Sequence, residues 1–289
     1  CPEITALPAG VSGLPALTRV VVSGCAKLAA IDPGAGADGG GAGAPFPRLE
    51  VLCIVSCPAL ARPGPAFDAP GALPRLKDLY LENCAALDLA PPPAPTAPPS
   101  PPPPPPLLAA VRRRLLLKNS PALEAGLAGA LAAGALARLR KLLDLEACNT
   151  LAELPPGLSA LSRLESLSVS GCERLASLGA SLPPRLVALS ASGCPSLERL
   201  PVAMRALSRL RRLALSDCAA LEAPPGALEG CAALEALRVA RCPRLALPGG
   251  AARLPRLAAL SWDGGADGGG GVWASTREEV EASFRGGGA

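Results

Sequence analysis

The sequence predicts an α/β solenoid in which one short strand recurs per repeat and successive strands stack in parallel. Three observations carry that prediction: a cysteine that keeps its phase, leucines that alternate ahead of it, and a scarcity of aromatic residues. Nine of the eleven cysteines, Cys1, Cys25, Cys57, Cys84, Cys148, Cys172, Cys194, Cys218 and Cys242, take the same place in a recurring unit, and only Cys53 and Cys231 fall outside. Between Cys148 and Cys242, where nothing interrupts the chain, they are spaced by 24, 22, 24 and 24 residues. A period of about 20 to 29 residues reading L-x-x-L-x-L-x-x-[N/C]-x-L is that of a leucine-rich repeat. Hydrophobic residues make up 49% of the chain but aromatics only 2%, so the core must be built from Leu, Val and Ala, which suits many small similar layers.

Each element follows from this frame. The L-x-L alternation places its leucines on one face of a short strand, and parallel stacking of neighbouring repeats buries them in a shared core. The expected product is a curved horseshoe, with strands on the concave face and irregular or short helical segments on the convex side. Residues 1–90 form a first block of repeats, with a clear copy at Leu76, Leu79, Leu81, Cys84 and Leu87. Residues 107–265 form a second block. It opens on a weaker copy, Leu115, Leu117, Ser120 and Leu123, with serine at the cysteine position and local disorder expected around it. Full copies follow at Leu164, Leu167, Val169, Cys172, Leu175, again from Leu210 to Leu221 and from Leu234 to Leu245, and a partial one ends at Trp262. Residues 266–289 read as a Gly-rich linker and a C-terminal capping helix, because Ser275 and Glu278 form a capping box and Trp273, Val280 and Phe284 share a helical face.

Two low-complexity segments interrupt the period. The Gly-rich insertion, residues 33–45, holds a literal G-x-G-x-x-G at Gly34, Gly36 and Gly39, but outside any strand-turn-helix setting, so it reads as a solvated loop. The Pro-rich insertion, residues 91–106, holds twelve prolines in sixteen residues and should form polyproline II, a surface insertion that also offers a strip to a proline-reading domain.

The recurrent cysteine has a structural explanation. Its position is where the chain leaves the strand and turns inward, beside backbone groups that need partners. Cysteine is small, tolerates full burial and offers a weak S–H donor, and Ser120 offers a hydroxyl in its place. Cys1, Cys25, Cys57, Cys84, Ser120, Cys148, Cys172, Cys194, Cys218 and Cys242 are therefore expected to form a structural ladder of free thiols. Unpaired buried thiols, only three asparagines and no N-x-[ST] acceptor predict a reducing, cytoplasmic setting.

Several chemistries find no support. The chain has no histidine, which excludes histidine-assisted nucleophiles and histidine metal sites, and it has no C-x-x-C pair and no P-loop. No enzyme activity, cofactor or metal is expected. A net charge of +4, with no basic run longer than Arg112 to Arg114, does not indicate nucleic acid, and no long apolar stretch indicates a membrane span. The opening on Cys1, with Met204 the single methionine, predicts a piece of a longer protein.

The units "LSVSGCERLASL", "LSASGCPSLERLP" and "LEACNTLAELP" resemble the leucine-rich repeats of plant nucleotide-binding disease resistance proteins, whose units end in L-P, matched here by Pro8, Pro155 and Pro201. The resemblance implies a non-catalytic protein-recognition module, the ligand-sensing or autoregulatory region of an intracellular immune receptor. "CPAL", "CPSL" and "CPRL" also resemble the repeats of substrate-selecting ubiquitin-ligase adaptors, and a free-standing scaffold is a third alternative. In each reading a protein partner meets the outward residues of the strands. Their middle positions are expected at Val21, Cys53, Tyr80, Leu116, Asp144, Ser168, Ser190, Ala214, Arg238 and Ser261. Two clusters stand out as binding residues: Lys77, Asp78, Tyr80 and Glu82, and the basic set Arg211, Arg212, Arg238 and Arg241.

Overall fold

The computed structural model describes residues 3–8, 11–31, 46–64, 67, 71–89, 105–222, 227–245, 254–262 and 272–274. Cys1, the Gly-rich insertion, nearly all of the Pro-rich insertion and the expected capping helix lie outside the described residues. The fold is the predicted α/β repeat solenoid, one strand per repeat in chain order. By its contacts the chain divides into two compact units, residues 1–143 and 144–289, so the Pro-rich insertion falls inside the first.

In the first unit β1 (Arg19–Ser23), β2 (Val51–Val55), β3 (Asp78–Glu82) and β4 (Arg114–Lys118) pair in parallel without a register slip. Strand alternation explains the core: Val20, Val22, Leu52, Ile54, Leu79, Leu81, Leu115 and Leu117 point inward and are buried. The expected core of Leu, Val and Ala is incomplete here. Phe46 and Phe67 are both buried with ring centroids 4.9 Å apart, so two of the few aromatic side chains join the core of this unit.

The repeat after the proline tract is ordered, contrary to expectation. β4 pairs with β3 over all five residues, and the chain returns through α1 (Pro106–Ala110) before it and α2 (Pro121–Ala132) after it. Proline occupies the first turn of both helices, where its missing N–H costs nothing. The α2 entry is closed by the buried Glu124, whose Oε1 accepts the Ser120 N–H at 3.1 Å.

β5 (Leu142–Glu146) lies where the two units divide. In the second unit β6 (Ser166–Ser170), β7 (Ala188–Ser192), β8 (Arg212–Ser216), β9 (Ala236–Ala240) and β10 (Ala259–Trp262) again pair in parallel. β11 (Val272–Ala274) joins β10 antiparallel, which puts Trp273 on a strand rather than on the helical face expected for it. The L-P endings acquire a role on the return side: Pro155 and Pro201, with φ of −60° and −69°, lead into 3-10 turns at Pro156–Ala160 and Val202–Ala206.

Return segments pack closely in this unit. The Cys231 thiol donates to the Met204 carbonyl at 3.3 Å, and a Cβ added to Gly230 would lie 1.7 Å from the Arg205 carbonyl oxygen.

The ladder and the exposed strand face

Every described rung is buried and bonded to the backbone. The Sγ of Cys25, Cys57, Cys84, Cys148, Cys172, Cys194, Cys218 and Cys242 each donates to the carbonyl two residues earlier, the last residue of its own strand, at 3.3 to 3.7 Å. Cys84 and Cys172 also reach the preceding repeat, at the Ile54 and Leu145 carbonyls. Ser120 makes the same bond through its hydroxyl, to Lys118 at 3.0 Å, and accepts the Cys84 N–H at 3.4 Å. Each rung thus satisfies polar backbone that the turn buries. Among the described residues every cysteine is a free thiol. Burial pushes Cys84 up to about 11. The Cys172 S–H, donating toward Cys148 and Cys194 and buried as well, is held well above the ordinary thiol range.

Sequence reasoning missed what precedes each rung. Gly24, Ser56, Asn83, Asn119, Ala147, Gly171, Gly193, Asp217 and Arg241 all have positive φ, between 44° and 66°. The left-handed residue turns the chain inward and aims its N–H at the next repeat: Ser56 bonds the Glu82 carbonyl at 2.8 Å and Ala147 the Ser170 carbonyl at 2.7 Å. The signal was present in the sequence, since Gly, Asn or Asp fills six of these nine places.

The outward strand positions are where they were expected, but the two clusters differ from their prediction. In the first unit Val21, Cys53, Tyr80 and Leu116 stand side by side in register, and Val21 is 59% exposed. Charged residues stand to either side of them. Glu82 pairs with Lys118 at 3.4 Å, and Lys77, which precedes the strand, pairs with Glu50 at 2.7 Å. The Tyr80 hydroxyl is a hydrogen-bonding neighbour of Arg114 and raises its pKa, with the Asp78 charge adding to the effect. Asp78 is buried, and its Oδ1 has no hydrogen-bond partner. Cys53 sits half-buried in this row with its thiol raised, by burial first and then by the Glu82 charge.

In the second unit the expected basic cluster separates. Arg212 and Arg238 point outward from neighbouring strands and are exposed. Arg211 precedes β8 and pairs with Glu235 at 3.7 Å, whereas Arg241 follows β9 and pairs with Asp217, its Nη2 to Oδ2 distance being 2.6 Å. Entry and exit of a five-residue strand are roughly 16 Å apart, so these two arginines do not join one patch. The Arg241 guanidinium, bonded to Asp217, holds that carboxyl below the usual range. Over β6 to β10 the outward side chains are mostly serine and alanine and leave a trough of about 310 Å³.

Among the described residues no group of three or more Cys, Asp or Glu is placed to hold a metal ion, and no helix is long and apolar enough to cross a membrane. No known family model matches the chain, and no curated protein matches it significantly.

Proposed function

We propose that the protein is a non-catalytic recognition module whose outward strand residues bind a protein partner. The finer reading is the ligand-sensing or autoregulatory repeat region of an intracellular, immune-receptor-like protein. One observation carries the first part: a mainly apolar row, Val21, Cys53, Tyr80 and Leu116, lies exposed to half-buried on the strand face, with Arg19 and Arg114 in the row before it and Glu82 and Lys118 in the row after it. An apolar centre with a charged border is the anatomy of a protein interface, and tyrosine is enriched at its strongest contacts. The finer part rests on the repeat wording, with cysteine at the rung and L-P at the end of the unit.

Photo-crosslinking from a benzophenone side chain at Tyr80, compared with one at the exposed turn residue Glu173, tests the reading. A partner captured from position 80 and not from 173 is the expected result. Unchanged affinity of that partner after Tyr80→Ala would sink the proposal. Sequencing the full-length transcript separates the receptor from the adaptor, since a P-loop upstream of Cys1 supports the first and an F-box the second.

A further inference from the structure

We infer that the trough over β6 to β10 binds an extended acidic peptide through Arg212 and Arg238. This site is distinct from the Tyr80 row and belongs to the other compact unit.

The argument begins with charge. Lys27, Lys77, Lys118, Arg211 and Arg241 are each paired with a carboxylate, at Glu3, Glu50, Glu82, Glu235 and Asp217. Arg212 and Arg238 line the trough, and among the described residues no acidic residue lines it with them. Two guanidinium groups side by side attract an anion, and each presents a planar fork suited to a carboxylate.

Spacing then selects the form of the ligand. Arg212 is in register with Ala236 and Ala214 with Arg238, so the arginines are one strand and two residues apart. That diagonal is roughly 8 Å, from a strand separation of about 4.8 Å and a rise of about 3.3 Å per residue. Acidic side chains at positions i and i+2 of an extended peptide lie on one side of it, about 7 Å apart, and meet both forks.

The floor explains why a peptide fits. Ala214 and Ala236 keep the surface low between the arginines and Ala188 and Ala259 keep it low on the two outer strands, with Ser190 and Ser261 as hydroxyls at its edges. A volume of about 310 Å³ accommodates roughly two side chains and is at the small end of ligand pockets. The lining is mostly apolar, so an apolar residue between or beside the acidic ones packs against alanine methyls while the carboxylates reach the arginines. Larger side chains on β6 or β7 would close this space, and the sequence supplies only serine and alanine at their outward positions.

Fluorescence anisotropy on the full chain tests the inference with three labelled probes: an eight-residue peptide alternating Glu and Val, the same peptide with Gln for Glu, and an eight-nucleotide single strand. The acidic peptide should bind, weaken as salt rises from about 50 to 500 mM, and lose at least about tenfold in affinity in the Arg212→Gln, Arg238→Gln variant. The Arg211→Gln, Arg241→Gln variant, which removes the same charge outside the trough, should bind as the unaltered chain does. No binding of the acidic peptide, equal binding of the Gln peptide, tighter binding of the nucleic acid, or equal losses in both double variants would overturn it. Both trough arginines are exposed, and an unchanged melting temperature verifies that the first variant is folded. Tyr80→Ala should leave peptide binding intact, so failure of the partner reading and failure of this one are distinguishable.

Discussion

The two units share one backbone device and present different chemistry on it. Inward positions are interchangeable: Leu79 and Leu81 in the first unit serve as Leu213 and Leu215 do in the second. Outward positions are not. The first unit offers a valine, a thiol, a phenol and a leucine in a row, whereas the middle row of the second reads Ser168, Ser190, Ala214, Arg238 and Ser261. Stability depends on the inward face of each strand, so the outward residues vary without cost to the core.

The largest expected effect breaks the second unit alone. Gly230→Ala places a Cβ 1.7 Å from the Arg205 carbonyl oxygen, and because both atoms are tied to backbone the return segments must separate. A loss of about 3 kcal/mol or more is expected. Hydrogen exchange should deprotect residues 227–245 far more than residues 46–64, and equal protection in both regions would show that the close approach is not as described.

A smaller change tests whether the odd rung of the first unit is equivalent to the thiols elsewhere. Ser120→Ala leaves the Cys84 N–H and the Lys118 carbonyl without their hydroxyl partner and should cost about 1 to 3 kcal/mol in urea unfolding. Ser120→Cys should cost less than about 1 kcal/mol, because every other described rung is a cysteine. If cysteine is tolerated no better than alanine, the ladder is not one device.

The smallest effect compares neighbouring rungs. Ala147, at φ 51°, sits where Gly171 sits at φ 62° in the next repeat. Ala147→Gly should stabilise by about 1 kcal/mol and Gly171→Ala should destabilise by a similar amount, read as opposite shifts of the thermal midpoint.

The fold was legible because two periods coincide in the sequence. Two-residue alternation placed Leu213 and Leu215 inward, and the roughly 24-residue recurrence put Cys218 at its turn. What escaped was set by geometry between those markers. Arg211 and Arg212 are adjacent letters, but Arg211 pairs with Glu235 before the strand while Arg212 lines the trough, so proximity in the chain grouped residues that stand in different surroundings. α2 escaped because PALEAGLAGALA is apolar nearly all round and presents no stripe to count. Trp273 was assigned to a helix by its spacing from Val280, whereas the chain pairs it with Ser261 in a short antiparallel strand.

The rung bond has a consequence for inheritance. Each described rung cysteine donates within its own repeat, to a carbonyl two residues away, so a duplicated unit arrives carrying both donor and acceptor. Tandem segments with self-supplied joints tolerate unequal recombination, because a copy gained or deleted in whole units leaves no orphaned thiol at the seam. The gene is therefore free to change its number of repeats by whole steps, while point mutation edits the outward residues one at a time.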